Sequence, residues 1–224
     1  MLALDGSYRL IGREVGLSKN TKVMTTTFER LLHEAHQRPL IGWDLSLDGR
    51  ITFLPPQWDF EALVTEAAAL SRDLLDMGTG GGEWLSGLPT RPARTVATEG
   101  WPPNVPVARK RLEPFGIEVI EVEGAPANTE QQVGGTSGLL PLLDSSFHLI
   151  CNRHESYLPS EVMRVLVPGG RFLTQQVASS FNAELLSMLG EPLAPPNLPW
   201  NLAFAMNQAK EVGLLIMDSG EGWK

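Results

Sequence analysis

The sequence predicts an α/β domain built on a doubly wound, mostly parallel sheet, preceded by a helical N-terminal cap. Three observations carry that expectation. Short apolar runs alternate with stretches of helical periodicity over residues 59–217, the pattern of a parallel sheet with helices on both faces. The first apolar run leads into a glycine-rich turn, Leu74-Leu75-Asp76-Met77-Gly78-Thr79-Gly80-Gly81-Gly82-Glu83, as where a buried strand bends sharply into a helix and brings its backbone close to a ligand. Finally, 224 residues with 42% hydrophobic and 20% charged side chains suffice for one such domain with its own core.

Residues 1–58 form the expected arm and cap, and residues 59–224 the sheet domain. Residues 1–25 are polar and pattern-poor. Residues 26–37 read as a helix with Phe28, Leu31, Leu32 and Ala35 on one face, stopped by Pro39. Residues 40–58, with Trp43, Trp58 and two prolines, read as a structured loop holding a short strand near 51–54. Asp59 is a plausible N-cap for a helix to residue 70, with Leu63, Val64, Ala67 and Leu70 as its stripe. Strand one is 74–77, followed by a helix over 83–88 that Pro89 closes. Strand two is 95–98, followed by a helix over 105–112 ended by Pro114. Strand three is 117–122. Residues 124–138, rich in Gly, Asn, Gln, Thr and Ser, read as a flexible insertion. Strand four is 147–151, then come a helix over 160–166, a turn at Pro168-Gly169-Gly170 and strand five at 171–177. A helix over 183–189, a proline-rich loop over 192–199, a helix over 202–212 ended by Gly213, and strand six at 214–217 complete the pattern.

Composition narrows the function. The net charge of −8 counts against a surface built to hold nucleic acid, which needs a clustered basic face. One cysteine excludes an internal disulfide framework and a multi-cysteine zinc site. No apolar run is long enough for a membrane span or a signal peptide, so a cytoplasmic protein is the expectation. A homodimer is left open.

Ligands in such sheets bind at the carboxyl ends of the strands, and three strand ends carry useful residues. The glycine turn has the spacing Asp76-x-Gly78-x-Gly80-x-Gly82, with Thr79 inside it. A dinucleotide fingerprint would place Gly or Ala at position 83, where Glu83 stands. A carboxylate there competes with a pyrophosphate for the same N–H groups. Two carboxylates around a glycine turn suit a ligand with a positive centre and no phosphate, and S-adenosylmethionine meets that description. A nicotinamide-dependent oxidoreductase ranks last for the same reason. Glu99 lies twenty-one positions after Gly78, placed to accept both hydroxyls of a ribose unless it is a solvated surface acid. Gly100 permits close approach. Trp101 either covers an adenine face or belongs to the core. After strand four come Asn152-Arg153-His154-Glu155. His154 could take a proton from a nucleophile, with Glu155 orienting it or holding a cation, or the segment could be a hydrogen-bonded loop and cap. His33 and His36 share a helical face, more readily a solvated face than a metal site.

The glycine turn, Glu99, the stretch Leu140-Pro141-Leu142-Leu143-Asp144-Ser145-Ser146-Phe147-His148-Leu149-Ile150 and the stretch from Glu161 to Leu173 with its Pro-Gly-Gly turn together resemble the class I S-adenosylmethionine-dependent methyltransferases, over about residues 70–180. The Asn-Arg-His-Glu element is similar to one bacterial, type-11-like subgroup. The resemblance implies a Rossmann-like fold and methyl transfer from S-adenosyl-L-methionine to a nucleophilic O, N or C of a small-molecule acceptor. It implies Asp76, Gly78, Gly80 and Gly82 along the methionine and ribose, Glu99 on the ribose, Asn152 near the methionine end and Glu123 at the adenine amino group. An RNA methyltransferase and a truncated, non-catalytic cofactor-binding domain are the alternatives. The family's sheet has seven strands, whereas this sequence stops just after strand six. Either the chain is C-terminally truncated, and lacks the last strand, or the sheet is completed differently.

Overall fold

The computed structural model describes residues 27–38, 41–42, 57–125, 138–180, 183–190 and 200–221. The expected strand at 51–54, Trp43, most of the 124–138 insertion, the polar arm and the proline-rich loop lie outside the described residues.

Five parallel strands form one sheet in the order β3-β2-β1-β4-β5. These are β1 Asp73–Met77, β2 Arg94–Glu99, β3 Glu118–Glu121, β4 Phe147–Arg153 and β5 Leu166–Gln175. The helices are α1 Thr27–Gln37, α2 Phe60–Ala69, α3 Glu83–Gly87, α4 Val105–Leu112, α5 Pro159–Val165, α6 Ala183–Leu189 and α7 Leu202–Glu211. This is the Rossmann-like, doubly wound arrangement, with its switch in strand order between β1 and β4.

All five residues of β1 are buried, because it pairs with β2 on one side and β4 on the other and both its faces are covered. Alternate residues feed two cores. Leu74, with Ala97, Val119, Leu149 and Cys151, packs against Val64 and Ala68 of α2, Leu85 of α3 and Leu112 of α4. Leu75 and Met77, with Val96, Phe147 and Ile150, pack against Val162 and Val165 of α5, joined by Tyr157 and Trp200.

Asp59 caps α2 as expected, accepting from the Ala62 amide at 3.0 Å. The buried stripe of α2 is Phe60, Val64, Ala67 and Ala68, while Leu63 and Leu70 are exposed. The helix is therefore rotated from the expected face, because the aromatic at its first turn docks on Trp84 with ring centroids 5.7 Å apart. On α1, Leu31, Ala35 and His33 are exposed.

Two corrections concern the later strands. β5 begins at Leu166, and the Pro-Gly-Gly turn lies inside it as a register shift. Phe147 pairs with Leu166 while Leu149, two residues on, pairs with Arg171. Gly169 takes a φ of 78° to allow this. Residues 214–217 are not a strand. They alternate between half-buried and exposed as an extended chain does, with Leu215 85% and Met217 90% exposed. The Leu214 amide donates back to Ala209, so the chain closes α7 where a ladder to β5 would begin.

Candidate functional site

The site is built from the carboxyl ends of β1, β2 and β4. At the end of β1 the backbone turns through left-handed dihedrals at Gly78, Gly80 and Gly82, with φ of 71°, 65° and 77°, which glycine adopts without penalty. The turn is fastened to β2. The Thr79 amide donates to the Thr98 carbonyl at 2.9 Å, and the Gly80 amide donates to Glu99 Oε2 at 2.6 Å. Gly82 is the N-cap of α3, and a Cβ there would lie 2.9 Å from Leu112. Glu83 folds its carboxylate back over Gly81 and pairs with Arg111 at 3.1 Å, while Arg111 Nε donates to the Gly81 carbonyl at 2.8 Å. The space over the turn that a pyrophosphate would take thus belongs to a carboxylate.

Glu99 is 4% exposed. Its Oε1 accepts from the Trp101 amide at 2.7 Å, so each oxygen is anchored by a backbone N–H, and a carboxylate has acceptor sites beyond these for a ligand hydroxyl. At Gly100 a Cβ would stand 3.2 Å from the Val122 carbonyl oxygen, a tight contact with backbone. Glu123 follows β3 and is exposed, and its carbonyl accepts from the Gly138 amide. Trp101 is half-buried.

Asn152 lies inside β4, fully buried and in register with Met77 and Thr174. Its Oδ1 accepts from Gln176 at 2.7 Å and from the Glu155 amide at 3.3 Å. Its Nδ2 and Asp76 Oδ2 are buried with no hydrogen-bond partner among the described residues, which is costly unless a ligand completes them. The chain then turns at His154, a non-glycine residue with φ of 68°. Such an outlier points to a constrained functional segment. The His154 amide donates to the Gln175 carbonyl at 2.8 Å. Gln175 Oε1 accepts from Trp58 Nε1 at 2.9 Å, and because indole only donates, the amide orientation follows. Gln175 Nε2 is therefore the atom that faces His154 Nε2, at 3.2 Å. The side chain of Glu155 turns the other way, over Gly78.

Three carboxyls thus converge on the glycine turn, and none of them forms an ion pair among the described residues. Burial pushes Asp76 up to about 6, against lowering contacts from Thr79 and Cys151 and the charge of Arg153. Burial likewise raises Glu99 to about 7, opposed by the Trp101 and Gly80 amides. Glu155 is raised to about 7 by burial and then by the nearby Glu99 charge. Such a cluster is stabilised by a cation brought in by a ligand. Among the described residues no group of His, Cys, Asp and Glu could hold a metal ion, and no helix is long and apolar enough to cross a membrane. Gln175, Gln176 and Trp58 are additions that reading the sequence missed. The polar pair Gln175-Gln176 at a strand's carboxyl end was the available signal. Cys151 Sγ, 3.3 Å from Asp76 Oδ1, is another.

No protein-family model matches the chain, and no curated protein matches it. Solved structures overlap it in part. A Galdieria sulphuraria protein provisionally described as a sarcosine dimethylglycine methyltransferase is 16% identical, with 71% of this chain and 61% of that chain covered and a TM-score of 0.49. A SAM dependent methyltransferase from Aquifex aeolicus is 18% identical, with 70% and 79% covered and a TM-score of 0.45. The [4+2]-cyclase SpnF is 18% identical, with 79% and 60% covered and a TM-score of 0.49. The chain spans about three fifths of the Galdieria and SpnF chains. At these identities what the site binds is a question for its own residues.

Proposed function

We propose that this chain binds S-adenosyl-L-methionine at the carboxyl ends of β1, β2 and β4 and transfers its methyl group to a nucleophilic O, N or C of a small-molecule acceptor. The supporting observation is the set of carboxyls around the glycine turn, with Asp76 and Glu99 buried and Glu155 half-buried, none in a salt bridge among the described residues. The donor set fits the cofactor. Asp76 Oδ2 and Asn152 Nδ2, both unmatched, suit the ammonium and carboxylate of a methionine. Glu99 retains acceptor capacity for two ribose hydroxyls, and Gly78, Gly80 and Gly100 let the backbone approach. The cofactor, when bound, supplies an activated methyl group on a sulfonium. The chain's part is to hold it and the acceptor in line and exclude water.

A protic acceptor also needs a base. His154 is the candidate, and it serves only when Gln175 releases Nε2, because that nitrogen faces a donor. As a base, His154→Ala lowers methylation about a hundredfold with cofactor affinity nearly intact, and the wild-type rate rises with pH, because only the neutral ring accepts a proton. A variant that loses thermal stability but keeps turnover and pH profile assigns His154 to the scaffold.

Calorimetry tests the cofactor directly. S-adenosylmethionine and its demethylated product are expected to bind and NAD is not. Glu99→Ala weakens binding by about 1.5–3 kcal/mol. Tight NAD binding without S-adenosylmethionine binding overturns the reading, and unchanged affinity in a folded Glu99→Ala variant removes the ribose role.

A further inference from the structure

The cavity bounded by Gly78, Gly100, Glu123, Gly124, Glu155 and Tyr157 is only about 20 Å³. One water needs about 10–15 Å³ of such space, so the gap as it stands admits a water and little more. Glu155 lines it and takes part of the ground around it. Its Cβ and Cγ press on Gly78, and its Oε2 stands 3.0 Å and its Oε1 3.6 Å from where side chains on Gly78 and Gly124 would begin. One side chain therefore spans from the β1 turn to the segment after β3, across the end of β2.

The turn that carries it is held at both ends. Upstream, Asn152 Oδ1 accepts the Glu155 amide, and Gln176 Nε2 bridges Asn152 Oδ1 and the Glu155 carbonyl at 2.7 and 3.2 Å. Downstream, Tyr157 is buried against Phe172 and Trp200, with ring centroids 5.1 and 6.2 Å away. Between them His154 takes its left-handed conformation, which directs the next side chain back over the glycine turn.

We propose that Glu155 is a gate: its side chain fills the ground above Gly78 and Gly124 that a nucleoside-bearing ligand must occupy, and it has to swing off before that ligand binds. The inference rests on the cofactor reading above for the identity of the ligand. Titration works with the gate. Facing Glu155 are Glu99 of β2, Glu123 after β3 and Tyr157 on its own segment, with Asp76 on the adjoining β1 and Arg153 and His154 preceding it in the chain. The buried carboxyl is raised to about 7, and swinging into water returns it toward the ordinary glutamate range. The covered conformation therefore binds the proton more tightly, and ionisation favours opening.

The test uses the full chain and S-adenosylhomocysteine as probe, with association and dissociation rates measured by stopped flow from pH 6 to 8. Glu155→Ala is expected to associate at least about tenfold faster, with dissociation within about threefold of wild type. Glu155→Gln keeps the bulk, so it associates no faster than wild type and loses the part of the pH slope that Glu155 contributes. Faster dissociation with unchanged association in Glu155→Ala, or no change in either rate, overturns the gate. Amide hydrogen exchange over residues 74–82, without the probe, separates this from the cofactor reading. Faster exchange in Glu155→Ala than in wild type supports a side chain lying over the turn, and equal exchange overturns it. Failure of all three proteins to bind either S-adenosylmethionine or S-adenosylhomocysteine would overturn the cofactor reading alone, and the exchange result would still decide the gate.

Discussion

Strand β1 carries one aspartate at each end, three residues apart, and the two live in opposite surroundings. Asp73, at the amino end, accepts from the His148 amide at 2.6 Å, contacts the His148 ring at 3.2 Å and pairs with Arg94 at 3.4 Å. Asp76, at the carboxyl end, has a thiol at 3.3 Å and one oxygen with no hydrogen bond. The same division runs through the rest of the molecule. Glu161, on α5, accepts two bonds from one edge of the Arg164 guanidinium, Nε at 2.8 and Nη2 at 2.7 Å, which holds its carboxyl below the ordinary range. Glu99 and Glu155, at the strand ends, are pushed up instead. Acids that hold the fold together have their cation within the chain. Asp76, Glu99 and Glu155, around the glycine turn, have no salt bridge among the described residues, and burial raises all three; under the proposed function they are held for a ligand, at a cost in stability.

The largest effect expected from this contrast is on the paired side. Arg164 also donates to the carbonyls of Leu140 and Leu142 and to Asp144. Arg164→Met leaves a buried Glu161 uncompensated and should cost about 3–5 kcal/mol in urea unfolding at pH 7. A loss under 1 kcal/mol would break the comparison.

The next effect is on pH dependence. Unfolded, Asp76 and Glu99 titrate near the ordinary values of 3.8 and 4.5, and folded near 6 and 7. Between those limits the native state holds more protons than the unfolded one, so stability falls as pH rises from about 4 to about 7. Glu99 alone contributes a swing of about 3 kcal/mol at most. Glu161 works in the opposite sense: its stabilisation is present above 4.5 and fades below it. Stability should therefore peak near pH 4.5 and decline to about pH 7. Asp76→Asn is expected to flatten the decline and raise stability at pH 8 by about 1–3 kcal/mol while weakening cofactor binding. A flat profile in the wild type, or destabilisation by Asp76→Asn at pH 8, would show that the strand-end acids are not strained by burial.

The smallest effect sharpens the contrast on β1 itself. Asp73→Asn removes a partly exposed pair and should cost about 1 kcal/mol, opposite in sign to Asp76→Asn three residues along.

The part of this arrangement that the sequence discloses is the part written in local chemistry. Gly78, Gly80 and Gly82 announce a left-handed turn, Asp76 and Glu99 end apolar runs, and Asp59 and Pro114 punctuate helices. The remainder depends on contacts between distant segments. Gln175 meets Trp58 across 117 positions, and nothing near either residue signals the other. His154 has the left-handed φ usually left to glycine, because Gln175 holds it there by backbone and ring together. Residues 214–217 have the alternation of a strand, yet a strand also needs a neighbour offering its edge in register, and that is decided by the end of α7. The reach of Glu155 over Gly78 is likewise a property of the turn that carries it, invisible in the tetrapeptide Asn-Arg-His-Glu.

Cys151, the chain's one cysteine, sits fully buried in β4 beside Asp76. Burial, with the adjacent Asp76 charge, holds its thiol well above the ordinary range, so it is inert toward disulfide reagents while the strand ends stay packed. Its modification by such a reagent is then a clock that ticks only when those ends separate. With a single thiol the trace needs no deconvolution, and the protein carries its own probe for how often the floor of the site opens and how firmly a bound ligand keeps it shut.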